Sequence, residues 1–244
     1  MTKNELSRRK FIGKTAAGLA GATVLSGSAA LGAASYRRII GSNDRINIGF
    51  LGCGARGSNH QSMVKDAEKD KNLGVVAVCD IWKLNREKAA ANCKKLFGND
   101  VKQFKYSEEM LKMPELDAVM IATGDFQHAR LLAEVVKAGK DCYCEKPLST
   151  DVEDAKLARS AVLESNQVAQ MGSQWVSDPI QKKVRDIVRS GKLGQVTKIA
   201  QVWNDNEPRW HVTDDPDVAA IRPSDTDWKR WLLNKPYVPF DPWK

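Results

Sequence analysis

This 244-residue chain has few of the residue patterns from which an enzyme site is usually read. It holds three histidines, His60, His128 and His211, with no His/Cys/Asp/Glu cluster at metal-ligand spacing, so no metal site is expected. The five cysteines form no CxxC pair and no repeated spacing, which argues against a zinc ribbon or a disulfide framework. Cys53, Cys79 and Cys144 read instead as small apolar core residues, and the odd count leaves room for one reactive thiol. A nucleophile elbow and a phosphate-binding P-loop are both missing. The longest weakly apolar stretch, residues 15–35, is too rich in glycine and alanine to make a good membrane-spanning helix. A basic face is lacking too, despite a net charge of +8. Eight of the 38 basic and two of the 30 acidic residues fall within residues 1–45, leaving 30 against 28 beyond. A body so nearly neutral excludes nucleic acid as the expected partner.

The charge at the front has another use. "SRRKFIG", from Ser7, resembles the twin-arginine export motif, and the small-residue run behind it offers peptidase-type triplets such as Ser28-Ala29-Ala30. Residues 1–34 are therefore expected to be an export signal and residues 35–44 a linker. The export machinery would be a partner, and the periplasm the destination. The remainder is 45–244, and with 42% hydrophobic and 28% charged residues the chain has the balance of a globular protein.

From Ile46 onward, short apolar runs alternate with helical patterns. Strands are expected at 46–51, 74–80, 101–105, 116–123, 141–147 and 168–172. Helices are expected at 57–70, 83–98 and 127–139, from a Ser107 cap, and at 151–165 after Ser149-Thr150-Asp151. Such alternation demands right-handed crossovers, hence an α/β fold with a doubly wound parallel Rossmann sheet over residues 45–172. Residues 173–244 read as the start of a second, open-sheet α/β domain: a helix from Pro179, an alternating strand at 195–203, and a helical turn at 227–232. One strand without partners closes no core, so the chain is expected to be truncated relative to its gene or its relatives.

"INIGFLGCGARGSNH", residues 46–60, carries the most specific chemistry. Gly52-x-Gly54-x-x-Gly57 follows a strand and opens a helix. Its glycines suit a tight turn, the close approach of a pyrophosphate, and helix–strand packing. Asp80, ending the next strand, suits the adenosine ribose hydroxyls and repels a 2′-phosphate. Because Ile81 beside it adds no arginine, NAD is expected over NADP. Glu145-Lys146-Pro147 ends a later parallel strand, where a lysine can help move a substrate hydroxyl proton and a cis proline would hold it inward. By spacing alone, a surface Glu–Lys pair is the simpler reading of those two residues. His128 lies near the same edge and is read equally as a ligand contact or as a packing residue. His60 is expected to be a surface or packing residue, and His211 an ordered loop residue in preference to lining a sugar site with Trp210. The tryptophans at 175, 203, 210, 228, 231 and 243 suit interfaces and core packing more than sugar rings.

Taken together, the glycine loop, Ala122-Thr123-x-Asp125 with His128, and Glu145-Lys146-Pro147 resemble the glucose–fructose oxidoreductase/inositol dehydrogenase/MocA family over roughly residues 44–235. "GSQWVSDP", "RSGKLGQV" and "DWKRWLLNKPYVPF" are similar to that family's second domain. The resemblance implies Lys146 as catalytic residue, and Gly52, Gly54, Ala55, Arg56, Gly57, Asp80, Thr123, His128, Glu145 and Lys146 around an NAD cofactor. It implies a sugar or polyol substrate and a homo-oligomer when full length. Gly124 stands where the family usually has proline, which should loosen that turn. The family's downstream Asp/His acid–base motif has no counterpart before Lys244. Hydride transfer is the implied activity, with NAD-dependent glycoside cleavage or a non-catalytic nucleotide-binding fragment as alternatives.

Overall fold

The computed structural model describes residues 45–202 and 216–243, so the leader at 1–34, the linker at 35–44, and Trp203, Trp210 and His211 lie outside the described residues. Six strands make one parallel sheet: β1 (Ile46–Leu51), β2 (Leu73–Cys79), β3 (Lys102–Phe104), β4 (Ala118–Ile121), β5 (Asp141–Glu145) and β6 (Ala169–Gly172). Their order is β3-β2-β1-β4-β5-β6, with every neighbouring pair parallel. This is the doubly wound Rossmann order, in which the winding reverses between β1 and β4.

Helices α1 (Ala55–Lys71), α2 (Lys83–Phe97), α3 (Ser107–Leu111), α4 (His128–Lys137) and α5 (Val152–Glu164) cover the sheet. One core cluster joins Ile48, Phe50, Val75 and Val78 to Val64 of α1 and to Ala89 and Cys93 of α2. The other joins Leu51, Ala77, Cys79, Val119 and Ile121 to α3, α4 and α5. Alternation along β1 and β2 assigns side chains to these two layers. It breaks once, where Ile48 pairs with Val75 but Gly49 pairs with Ala77. The extra residue, Val76, packs into the same layer as Ala77, as a β-bulge requires.

The helix ends follow local chemistry. Gly98 and Gly139, both at positive φ, lie just past α2 and α4, and Asn72 takes the left-handed position after α1. The Asp151 carboxylate accepts the amides of Glu153 and Asp154 to cap α5. Two expectations fail. The residue before α3 is Tyr106, and Ser107 lies inside the helix with its hydroxyl on Glu134. Residues 195–202 form no strand, and Val196, Ile199 and Val202 are exposed, because no partner strand stands beside them among the described residues. Helix α6 (Pro179–Arg189) forms as expected and exposes Ile180, Val184 and Ile187. Among the described residues, no helix is long and apolar enough to cross a membrane.

All five cysteines are free and buried. Cys142 and Cys144 point to one face of β5, while Cys53 and Cys79 flank the β1–β2 seam. Burial pushes the thiols of Cys93 and Cys144 up to about 12, and those of Cys53, Cys79 and Cys142 up as well. The open possibility of a reactive thiol therefore closes on the inert side. Iodoacetamide at neutral pH is expected to modify none of the five in the native protein and all five in denaturant; rapid native labelling of any one would contradict this packing.

Candidate functional site

At the switch point the carboxyl ends of β1 and β4 are stitched together. The Ala122 amide donates to Leu51 O at 2.8 Å, and the Gly52 amide donates to Cys79 O at 2.9 Å. The three loop glycines serve three different physical needs. Gly52 takes φ +87°, and a Cβ there would lie 2.5 Å from Ala122 O. A Cβ on Gly57 would lie 2.3 Å from Gly52 O, so the first turn of α1 rests directly on the end of β1. Gly54 has an ordinary φ of −70°, and a Cβ on it would meet nothing nearer than Asn85 Nδ2 at 3.9 Å. Its bareness leaves space outside the protein, at a helix start that no side chain caps. That is the cradle a pyrophosphate fills, with the α1 dipole behind it.

Asp80 holds this loop in place. Its Oδ2 accepts the Cys53 amide and its Oδ1 the Trp82 amide, both at 2.8 Å. Burial raises its carboxyl above the usual range against the pull of those bonds. The structure also brings an arginine that adjacency did not reveal: Arg86 of α2 donates to the Asp80 carbonyl at 2.6 Å. Across the crevice the Thr123 hydroxyl is buried and has no partner. Gly52, Gly54, Asp80 and Thr123 line a cavity of about 380 Å³, whose other side is formed by residues between Val218 and Pro242. An orphaned hydroxyl, an open glycine and a carboxylate around one cavity fit a dinucleotide.

One strand over, Glu145 at the end of β5 anchors a second cluster. Its Oε1 accepts Arg56 Nε and Nη2 at 2.7 Å and faces His60 Nε2 at 2.8 Å; its Oε2 accepts the Lys146 amide at 3.2 Å. Burial by itself would raise this carboxyl, but hydrogen bonds from His60, Arg56 and Lys146 outweigh it and hold Glu145 below the usual range. His60 is fully buried, edge-on to Tyr143 at 5.4 Å. Burial lowers its pKa despite the opposing pull of Glu145. A neutral ring with its proton on Nε2 satisfies Glu145 and leaves the partnerless Nδ1 a bare lone pair. The surface alternative for His60 is thus wrong. The missed signal was spacing: Arg56 and His60 stand at i and i+4 on α1 and share a face.

Lys146 itself is exposed at the sheet's carboxyl edge, outside the cavity, and its amine makes no hydrogen bond or ion pair among the described residues. The peptide bond from Lys146 to Pro147 is cis, but the lysine before it is exposed and not held inward. His128 lies buried behind this edge, with Nδ1 2.7 Å from Pro147 O and Nε2 3.2 Å from Thr123 O. Both ring nitrogens face backbone carbonyls, so it joins the loops after β4 and β5. Gly124 does not loosen its turn. Its φ is an ordinary −67°, its amide donates to Gln127 Oε1 at 3.1 Å, and a Cβ would press Trp231 at 3.1 Å.

Two outcomes follow from this geometry. Gly57→Ala is expected to destabilise the fold by about 1–3 kcal/mol through overpacking, whereas Gly54→Ala should leave the melting temperature unchanged and weaken nucleotide binding. Thermal unfolding and calorimetric titration of both variants check the contrast. Glu145 and His60 both titrate lower when folded, so below the ordinary histidine value of 6.5 the unfolded chain binds more protons and stability is lost as the pH is lowered. Urea unfolding across that range should show the fall in the native protein and a shallower one in His60→Gln.

The chain matches proteins of known family. It is 27% identical over 197 residues to an inositol 2-dehydrogenase of Agrobacterium fabrum, covering 79% of this chain and 56% of that protein. It is also 27% identical over 194 residues to the rhizopine catabolism protein MocA of Rhizobium meliloti, covering 78% of this chain and 58% of that one. The chain thus spans little more than half the length of these curated relatives. Scyllo-inositol dehydrogenase from Lactobacillus casei, solved with NAD(H) and scyllo-inositol, shares the fold at TM-score 0.55 and 23% identity over 63% of this chain and 43% of its own. The WlbA dehydrogenase from Bordetella pertussis, solved with NADH and UDP-GlcNAcA, superposes at TM-score 0.53 and 25% identity over 62% of this chain and 44% of its own. Residues 46–173, from the start of β1 to just past β6, match the family model for oxidoreductases with an NAD-binding Rossmann fold, and the chain belongs to that family, GFO_IDH_MocA.

Proposed function

We propose that the protein is an NAD-dependent oxidoreductase acting on a hydroxyl of a sugar, polyol or glycoside. One observation carries the reading. The Gly52–Asp80–Thr123 cavity opens at the sheet's switch point, and on the same carboxyl edge Lys146 presents an exposed amine with no bond among the described residues.

When bound, NAD supplies the acceptor or donor of a hydride. The chain's own residues supply the rest. Amides at the start of α1, bared by Gly54, face the pyrophosphate, with Ala55 and Arg56 opening that helix. Asp80 accepts from ribose hydroxyls, and the unpartnered Thr123 hydroxyl is available to the nucleotide. Lys146 Nζ holds or takes up the proton of the reacting substrate hydroxyl. Glu145 acts on that lysine from behind. Its carboxylate is spent on Arg56, His60 and the Lys146 amide, so it positions backbone and leaves no lone pair free of a donor on Oε1. His128 fixes the other flank through Pro147 O and acts on the ligand through the loops it joins. The substrate class comes from the relatives, among which inositol 2-dehydrogenases recur.

Lys146→Met tests the mechanism. Turnover with cyclitols and sugars, followed as NADH absorbance, is expected to fall about 10²–10⁴-fold while the dissociation constant for NAD stays unchanged. Full turnover in this variant would remove Lys146 from the chemistry.

A further inference from the structure

Residues 216–243 close the cavity from the side opposite the sheet, and their attachments are specific. This segment carries α7 (Pro216–Ala219) and α8 (Trp228–Leu232). The Tyr106 hydroxyl, after β3, donates to Asp227 Oδ2 at 2.9 Å, and the same carboxylate caps α8 through the Arg230 amide at 3.0 Å. Arg230 donates to Ser107 Oγ at 3.3 Å and pairs with Glu108. After β4, Gln127 Nε2 donates to Trp231 O at 2.6 Å, and Phe126 meets the Trp231 ring edge-on at 5.7 Å. Leu232 is buried. The segment is thus fastened to the loops on both sides of the crevice's adenosine half.

What these fastenings enclose has a definite chemistry. On the sheet side Gly54 and Asp80, for phosphate and ribose, stand beside apolar Leu51, Ile81 and Trp82. On the segment side the wall is largely aromatic and apolar, with Trp228, Trp231, Phe240 and Ile221, and carries Thr226, Arg230 and Asp241 among them. The Trp228 ring is itself fixed, its Nε1 donating to Val238 O at 2.7 Å and its edge meeting Phe240 at 5.4 Å. A flat base with apolar faces and a polar ribose-phosphate tail matches such a two-sided cavity. Lys146 and Glu145 do not line it, so the nicotinamide end lies elsewhere along the edge.

We propose that segment 216–243 is the second wall of an adenosine subsite, so that the adenine half of the dinucleotide is held between the sheet edge and the aromatic face of this segment. The proposal rests on the NAD-binding reading. It requires that nucleotide binding and the ordering of the segment be coupled, because the ligand adds contacts to both walls.

Hydrogen–deuterium exchange of the full chain, alone and saturated with NAD or with ADP-ribose, tests it directly. Both ligands are expected to slow exchange of the 216–243 amides, and to the same extent, since they share the adenosine half. Tyr106→Phe and Trp231→Ala should each weaken NAD and ADP-ribose by a common factor of roughly tenfold in calorimetric titration. If NAD binds while exchange in 216–243 is unchanged, the second wall is overturned and the NAD reading stands. If the variants bind both ligands as tightly as the native chain, the wall is likewise overturned. If neither ligand binds the native chain, both readings fall together.

Discussion

Three backbones meet at one point in this fold, and no side chain fits between them. The end of β1 at Gly52, the end of β4 at Ala122 and the first turn of α1 at Gly57 approach so closely that a methyl group on either glycine would fall within 2.5 Å of a carbonyl oxygen. This contact sets where α1 begins and where its dipole points, and so where a phosphate is welcome. It also sets the spacing between the loops after β1 and β4, which is the width of the crevice. The hydrogen bond from Ala122 to Leu51 holds that spacing, and the one from Gly52 to Cys79 ties the same loop to β2. A fold with bulk at this junction would keep its sheet and lose its site.

The carboxyl edge of β5 depends instead on charge. Glu145 is an almost fully buried carboxylate, a state that is costly unless its oxygens are supplied with donors. Two of those donors, Arg56 and His60, come from the same helix that the glycine junction positions. The junction and the β5 edge are therefore linked through α1: its uncapped start is where a phosphate would be held, and its first two turns clamp the residue preceding Lys146. His128 does the equivalent work from β4 toward Pro147. Lys146 is left exposed on a backbone whose two sides are each held by a buried histidine.

Local chemistry was legible in the sequence, and tertiary choice was not. The glycine loop, Asp80 at the end of β2 and the helix-ending glycines are written in residue types whose conformational or hydrogen-bonding needs are met within a few residues. His60 could not be read this way. A histidine on a helix is exposed or buried according to what stands opposite, and Glu145 is 85 residues away. Residues 195–202 show the converse: an alternating pattern is necessary for a strand, but the partner edge decides whether one forms. Gly124 misled because it was compared with proline by flexibility, whereas the structure uses its amide and its lack of a Cβ under Trp231. The C-terminal wall of the cavity was hidden for the same reason, since Tyr106 and Asp227 are 121 residues apart.

In the proposed reading, NAD is favoured over its 2′-phosphorylated form by a balance of charges around Asp80. Asp80 is a carboxylate whose burial opposes its charge, and the amides of Cys53 and Trp82 offset that cost. A ribose hydroxyl adds a further donor to the same oxygens. A 2′-phosphate would instead bring a second anion to a site with restricted solvent, where two charges 4 Å apart repel by about 4 kcal/mol at an effective dielectric near 20. Lys105 and Arg230 also line the cavity, whereas the guanidinium of Arg86 donates to the Asp80 carbonyl. Moving Arg86 toward a phosphate would break that bond while leaving Asp80 in place. On the proposed reading, the carboxylate that holds the glycine loop in shape is also the one that would discriminate, so a change at Asp80 that relaxed the cofactor choice would also loosen the loop.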